Sequence, residues 1–132
     1  MKSEKRKTGD IAEDLVIKYA RGRGWKILAR NFQKPWGEID IIAAEVSRLR
    51  RKKTILFIEV KSQTCPVSVD FRPEFHFTAD KQQKLIRTAH SYLLQNKYSE
   101  NTDYRFDLAA VELNQLQKVG HLRYYRNAID AR

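Results

Sequence analysis

A single cysteine, Cys65, stands in the 132 residues, so no internal disulfide can form and a cysteine-rich zinc module is excluded. A lone cysteine fits a reducing compartment, and the expected location is cytoplasmic. Long apolar runs are missing as well. The longest purely aliphatic or aromatic stretch, Ile55–Ile58, is far too short to cross a bilayer, so no membrane partner is expected. The opening Met-Lys-Ser-Glu-Lys-Arg-Lys is basic, but Thr8-Gly9-Asp10 follows without an apolar core, and no secretory signal is expected there. Five glycines and three prolines form no linker, and no repeat divides the chain. One domain over residues 1–132 is expected, with 1–8 as a flexible basic N-terminus.

Acid is scarce relative to base: 16 Asp and Glu face 26 Lys and Arg, a net charge of +10 with neutral histidines. With 42% hydrophobic residues the chain can still build one packed core. A polyanionic partner is implied, and nucleic acid suits the pattern better than a membrane surface. The charge is uneven. Residues 1–53 carry 15 basic and 7 acidic side chains, and residues 54–132 carry 11 and 9, so a partner surface should draw mainly on the first half.

Ile11, Leu15 and Tyr19 recur every four positions beside Ala12, Val16 and Ala20, which predicts a helix over 10–21 with a wide buried stripe. Asp10 is placed to cap it, and Gly22 and Gly24 to stop it. Strands are expected at 25–31 and 37–44, around a Pro35-Trp36-Gly37 turn. A polar connection over 45–53 follows, then the strongest strand, 54–62, whose near-continuous apolar run suits a central position covered on both faces. Residues 63–77 show no period. A second helix is expected over 78–96, and strands over 104–113 and 119–125. The helices are then available to cover both sides of one sheet.

The acids are the informative feature. Alternation across Gly37-Glu38-Ile39-Asp40-Ile41 sets Glu38 and Asp40 on one face and Ile39 and Ile41 on the other. Glu59 and Lys61 share a face of the next strand. Paired strands lie about 5 Å apart, so Asp40 and Glu59 can meet if the register sets them opposite. Two ionised carboxylates at that distance repel, and burial raises the cost. A divalent cation reverses the sign, and oxygen-only ligands suit magnesium or manganese, which also bind phosphate oxygens. Lys61 in the same site could neutralise charge developing on a phosphorane-like transition state, or position the attacking water.

Asp40 followed by Glu59-Val60-Lys61 resembles the signature of the PD-(D/E)xK nuclease superfamily, which includes restriction endonucleases and archaeal Holliday-junction resolvases. More closely, the chain is similar to the small bacterial YraN-like family of that superfamily. The matching stretches are Gly9-Asp10-Ile11-Ala12-Glu13, Asn31-Phe32, Gly37–Ile42, Phe57–Lys61, Lys81–Leu85, Arg105-Phe106-Asp107 and Asn127-Ala128, in order over almost the whole length. The resemblance implies an α/β, restriction-endonuclease-like core, a mixed central sheet flanked by helices. It implies a magnesium- or manganese-dependent endonuclease acting on structured or branched DNA in preference to RNA. Asp40 and Glu59 would be metal carboxylates, the Val60 carbonyl a backbone ligand and Lys61 the catalytic lysine. Glu13 would join the metal from the first helix, and Lys81 and Gln83 would meet the substrate backbone. Gln63 stands where the pattern expects an arginine, and residues 66–77 lack its usual glycine.

Other readings compete at several positions. Glu13 follows Asp10 at the spacing of a capping box. Asp40, Glu59 and Lys61 could form a structural ion-pair network. The basic run Arg48-Leu49-Arg50-Arg51-Lys52-Lys53 is either a solvated tip or, beside the proposed site, a nucleic-acid contact through Arg50, Arg51, Lys52 and Lys53. Asp107 is expected in a structural salt bridge with Arg105, and Trp25, Trp36, Tyr124 and Tyr125 as core or rim aromatics. His76, His90 and His121 suggest no second metal site, and Cys65 no nucleophile. The main alternative to an enzyme is a non-catalytic nucleic-acid-binding protein that keeps the fold. A protein partner is a third reading, and a homodimer is compatible with action on two strands.

Overall fold

The structure, a computed structural model, describes residues 4–65, 78–114 and 119–129. Among them the chain runs α1 (Glu4–Gly22), β1 (Lys26–Lys34), β2 (Gly37–Ser47), β3 (Lys52–Cys65), α2 (Ala79–Gln95), β4 (Asp103–Asn114) and β5 (Val119–Ile129). The sheet order is β1-β2-β3-β4-β5, and β3 with β4 is the parallel pair in an otherwise antiparallel sheet. Parallel neighbours need a crossover, and α2 supplies it.

The apolar run of β3 is explained by cover on both faces. Leu56 and Ile58 pack with Ala12, Val16 and Ala20 of α1, while Ile55 and Phe57 pack with Leu85, Ala89 and Tyr92 of α2. All four β3 side chains are fully buried. Period-two alternation therefore carries Glu59 and Lys61 to the α2 side.

Helix α1 starts six residues before the expected Asp10. Lys5, Arg6 and Lys7 are good helix formers, and one interior Gly9 costs only about 1 kcal/mol, so nothing stops the helix at Thr8. Asp10 therefore lies inside the helix rather than at its N-cap; its carbonyl accepts from Arg30 Nη2 at 3.3 Å. Gly24, at φ +81°, makes the left-handed step after the helix, and the Trp25 amide returns to the Ala20 carbonyl at 3.0 Å. At α2, Thr78 caps the first turn by accepting the Lys81 amide at 3.2 Å.

Gly37 fixes how closely α2 approaches β2. A Cβ there would stand 2.5 Å from Thr88 Oγ1 and 3.2 Å from the Lys84 carbonyl, so only glycine admits this contact. The expected aromatic packing is present: Trp25 and Tyr124 join Tyr19 with ring centroids 5.0 to 5.9 Å apart. Tyr125 lies at the rim, 37% exposed. Asp107 is buried and accepts from Arg105 Nε, the Tyr124 hydroxyl at 2.6 Å and the Asn127 amide at 3.0 Å, as a structural anion should. The 66–77 segment with His76, and the Cys65 side chain, lie outside the described residues.

Candidate active site

The β2–β3 hairpin sets the site. Its ladder runs from Ser47↔Lys52 to Ile41↔Ile58, so the next position sets Asp40 against Glu59. The ladder then gives way to a side chain: Asp40 Oδ2 accepts the Val60 amide at 2.8 Å. The expected alternation fails at this point. Ile39 packs with the α2-side cluster and Ile41 with the α1-side cluster, so the two isoleucines do not share a face. Asp40 sits at the reversal, where its carboxylate rather than a backbone carbonyl engages β3. An extended residue projects its N–H and C=O to the same side, so the Val60 carbonyl also points toward the β2 side of this site.

Lys61 Nζ lies 3.6 Å from Glu59 Oε1. Glu59 and Lys61 line a cleft of about 180 Å³ together with Gly37, Glu38, Lys81, Lys84 and Leu85. Burial, and next the Glu59 charge, push the Asp40 carboxyl far above the usual carboxylate range, against the pull of the Val60 amide. Glu59 is also pushed up by burial, although Lys61 opposes the shift. Burial and mutual repulsion thus make it costly for both acids to be ionised together, and Lys61 offsets only part of that cost.

Glu13 stands near enough for its charge to raise Asp40, but its Oε1 accepts Arg30 Nε at 3.0 Å. Arg30 also binds Asp14 at 2.8 Å. The capping-box alternative for Glu13 is excluded, because the helix passes through Asp10. Among the described residues no three acidic, histidine or cysteine side chains converge closely enough to hold a metal. The donors on hand for magnesium or manganese are thus the Asp40 and Glu59 carboxylates and the Val60 carbonyl. These are hard oxygens that leave positions for water and phosphate, and they fit such an ion.

Of the two α2 residues expected at the substrate, Lys81 lines the cleft, whereas Gln83 is exposed and takes no part in the lining. Lys84 takes the place expected of Gln83. Its i+3 spacing from Lys81 puts both on one helical face, a signal already present in the sequence. Lys84 also pairs with Asp80 at 3.1 Å.

The Arg50–Lys53 run is not beside the site. It occupies the opposite end of the β2–β3 hairpin, and the seven steps from Lys52 to Glu59 span roughly 23 Å. Strand direction explains the difference: Asp40 precedes and Glu59 follows the tip by most of a strand. Lys52 bonds Asp103 at 2.6 Å, and Lys53 lies over Tyr98. Among the described residues no helix is long and apolar enough to cross a membrane.

The model of the uncharacterised protein family UPF0102 matches residues 12–111, a stretch that holds Glu13, Asp40, Glu59, Lys61 and Lys81. A UPF0102 protein of Caldicellulosiruptor saccharolyticus is 35% identical over 125 residues, 94% of this chain and 98% of that protein. Another, from Fervidobacterium nodosum, is 33% identical over 122 residues, 92% of this chain and 81% of its own. A third, from Trichormus variabilis, is 37% identical over 114 residues, 85% of this chain and 73% of its own. With a five-stranded mixed sheet between two helices, of the restriction-endonuclease-like kind, the chain belongs to the UPF0102 family of the PD-(D/E)xK nuclease superfamily.

Proposed function

We propose that this protein is a magnesium- or manganese-dependent endonuclease of the cytoplasm that hydrolyses phosphodiester bonds in structured or branched DNA. The observation that carries the reading is the hairpin register, which sets Asp40 against Glu59 with Lys61 3.6 Å from the latter, in a cleft that α2 lines with Lys81 and Lys84.

Asp40, Glu59 and the Val60 carbonyl would hold the cation, which when bound polarises a phosphoryl oxygen and makes water a better nucleophile. Lys61 faces the same cleft as a fixed positive charge. It holds the attacking water or a non-bridging oxygen, and stabilises negative charge as that charge grows. Lys81 and Lys84 hold flanking phosphates without reading sequence. Gly37 and Leu85 bring no hydrogen-bonding side chain to the reacting group, while Glu38 adds a further carboxylate to the cleft wall.

The deciding experiment incubates the protein with manganese and a panel of linear, flap, four-way and RNA substrates, beside Glu59→Gln. Cleavage lost in the variant supports the reading, and equal cleavage by the variant rejects it. One observation favours the non-catalytic alternative: Glu13, expected at the metal, is instead paired with Arg30 at 3.0 Å. Salt-sensitive DNA binding without a cut product under either metal would establish that alternative.

A further inference from the structure

Beside the candidate cleft lies a pair of residues that the hydrolytic chemistry does not use. Trp36 occupies the β1–β2 turn immediately before Gly37, itself a wall of the cleft, and the Arg87 guanidinium carbon lies 4.1 Å from its ring centroid. Arg87 is one helical turn beyond Lys84, as Lys84 is one turn beyond Lys81, so the three cations form a row along α2 that ends on the tryptophan. Tryptophan kept for packing normally bonds its indole N–H. Here Nε1 is buried without a hydrogen-bond partner among the described residues, so what Trp36 contributes is the face of its ring. Arg87 is exposed, which leaves its guanidinium plane open to a further flat group.

We propose that Arg87 stacked on Trp36 is a platform for an unpaired nucleobase next to the scissile phosphate, and that the protein therefore selects DNA with an unpaired nucleotide at the cleavage site. The inference rests on the proposed nuclease reading for the place of the phosphate, but the platform itself is a binding property. A guanidinium plane backed by an indole offers a base both stacking and cation–π attraction, and stacking is indifferent to sequence. In a blunt duplex the base faces are already occupied by their neighbours, so duplex DNA gains only the phosphate contacts of Lys81 and Lys84. A flap or branch presents a free base while its backbone follows the lysine row.

Binding in EDTA tests this independently of catalysis. The probes are a blunt duplex, the same duplex with a single-stranded flap, and oligo-dT, followed by tryptophan emission and by anisotropy of labelled DNA. The chain has two tryptophans, and Trp25 is buried at 5% exposure, so a change in emission on binding reports Trp36. The expected result is quenching by flap and oligo-dT but not by blunt duplex, with the flap bound about tenfold more tightly. Trp36→Phe should keep the preference and lose the signal. Arg87→Lys, which retains charge but not the plane, should abolish the preference while leaving blunt-duplex affinity within about twofold. Equal affinity for flap and blunt duplex in the unmodified protein would overturn the proposal, as would an Arg87→Lys variant with the preference intact. Failure to cleave, with the preference present, would count against the nuclease reading alone.

Discussion

The Val60 amide donates to the Asp40 carboxylate at 2.8 Å just where the β2–β3 ladder ends. This one bond anchors an acid at the mouth of the hairpin and directs the backbone carbonyl of the same β3 residue toward it. Asparagine at position 40 can still accept the Val60 amide, but it carries no charge. Asp40→Asn and Glu59→Gln should each lower cleavage by at least about a hundredfold, because each removes an anionic oxygen donor while preserving shape. Single-turnover cleavage checks the loss, and circular dichroism checks that the fold is retained.

The same acids should lower stability as pH rises. Burial raises the Asp40 and Glu59 carboxyls in the folded chain, so the folded state binds more protons than the unfolded state above the ordinary carboxylate range. The contribution to stability is complete below that range and is lost as pH climbs toward the folded value, about 9 for Asp40. Asp40→Asn should therefore stabilise the metal-free protein clearly at pH 8 and by little at pH 4. Urea unfolding at the two pH values measures the difference. Excess magnesium should stabilise the unmodified protein more than the variant at pH 8.

How much of this could be read in advance depends on the range of the forces involved. The run Ile55–Ile58 marks a strand covered on both faces because its own residues record burial, and the spacing of Asp40 and Glu59 permits their meeting because a hairpin fixes register. The reversal at Ile39 and Asp40 leaves no local mark, since it depends on a bond from Asp40 to a residue 20 positions on. Arg30 lies 17 residues from Glu13, and nothing in either neighbourhood announces their ion pair. The place of the Arg50–Lys53 tip was legible: the connection between two antiparallel strands must lie away from acids at their open end.

Gly37→Ala should separate α2 from β2. The added methyl would stand 2.5 Å from Thr88 Oγ1, a buried hydroxyl that already donates to the Lys84 carbonyl at 2.7 Å. Overpacking of this kind costs about 1–3 kcal/mol. Adding Thr88→Ala removes the nearer obstacle, so the double variant should be more stable than the sum of the two single losses predicts. Urea midpoints of the four proteins check the coupling.

Asp107 should prove structural and remote from the chemistry. It is 1% exposed and accepts from Arg105, Tyr124 and Asn127, and Arg105 continues to Glu45 at 3.2 Å. Burial and the Asp107 charge push the Tyr124 hydroxyl up, so it remains a donor throughout the working pH range. Asp107→Ala leaves the largely buried Arg105 guanidinium undercompensated and should cost about 3–5 kcal/mol. Tyr124→Phe, which removes one bond to a charged acceptor, should cost about 1.5–3 kcal/mol. At temperatures where Tyr124→Phe is folded, its cleavage rate should equal that of the unmodified protein. A lower rate would place this network in the catalytic machinery.

The basic hairpin tip should matter only for long DNA. Arg50 and Arg51 sit at the far end of β2 and β3, with the Arg50 amide donating to Ser47 Oγ at 3.3 Å. The span of roughly 23 Å to Glu59 corresponds to about seven base pairs. Every phosphate that a side chain ceases to neutralise lowers the slope of log affinity against log salt by about 0.9. Replacing both arginines with alanine should therefore flatten the slope by nearly two for a 20-base-pair duplex with a flap. It should change nothing for a flap on a six-base-pair stem, which cannot reach from the cleft to the tip. Equal effects on both lengths would mean that DNA approaches the tip without passing through the cleft, and the cleft would then lose its claim to be where the duplex docks.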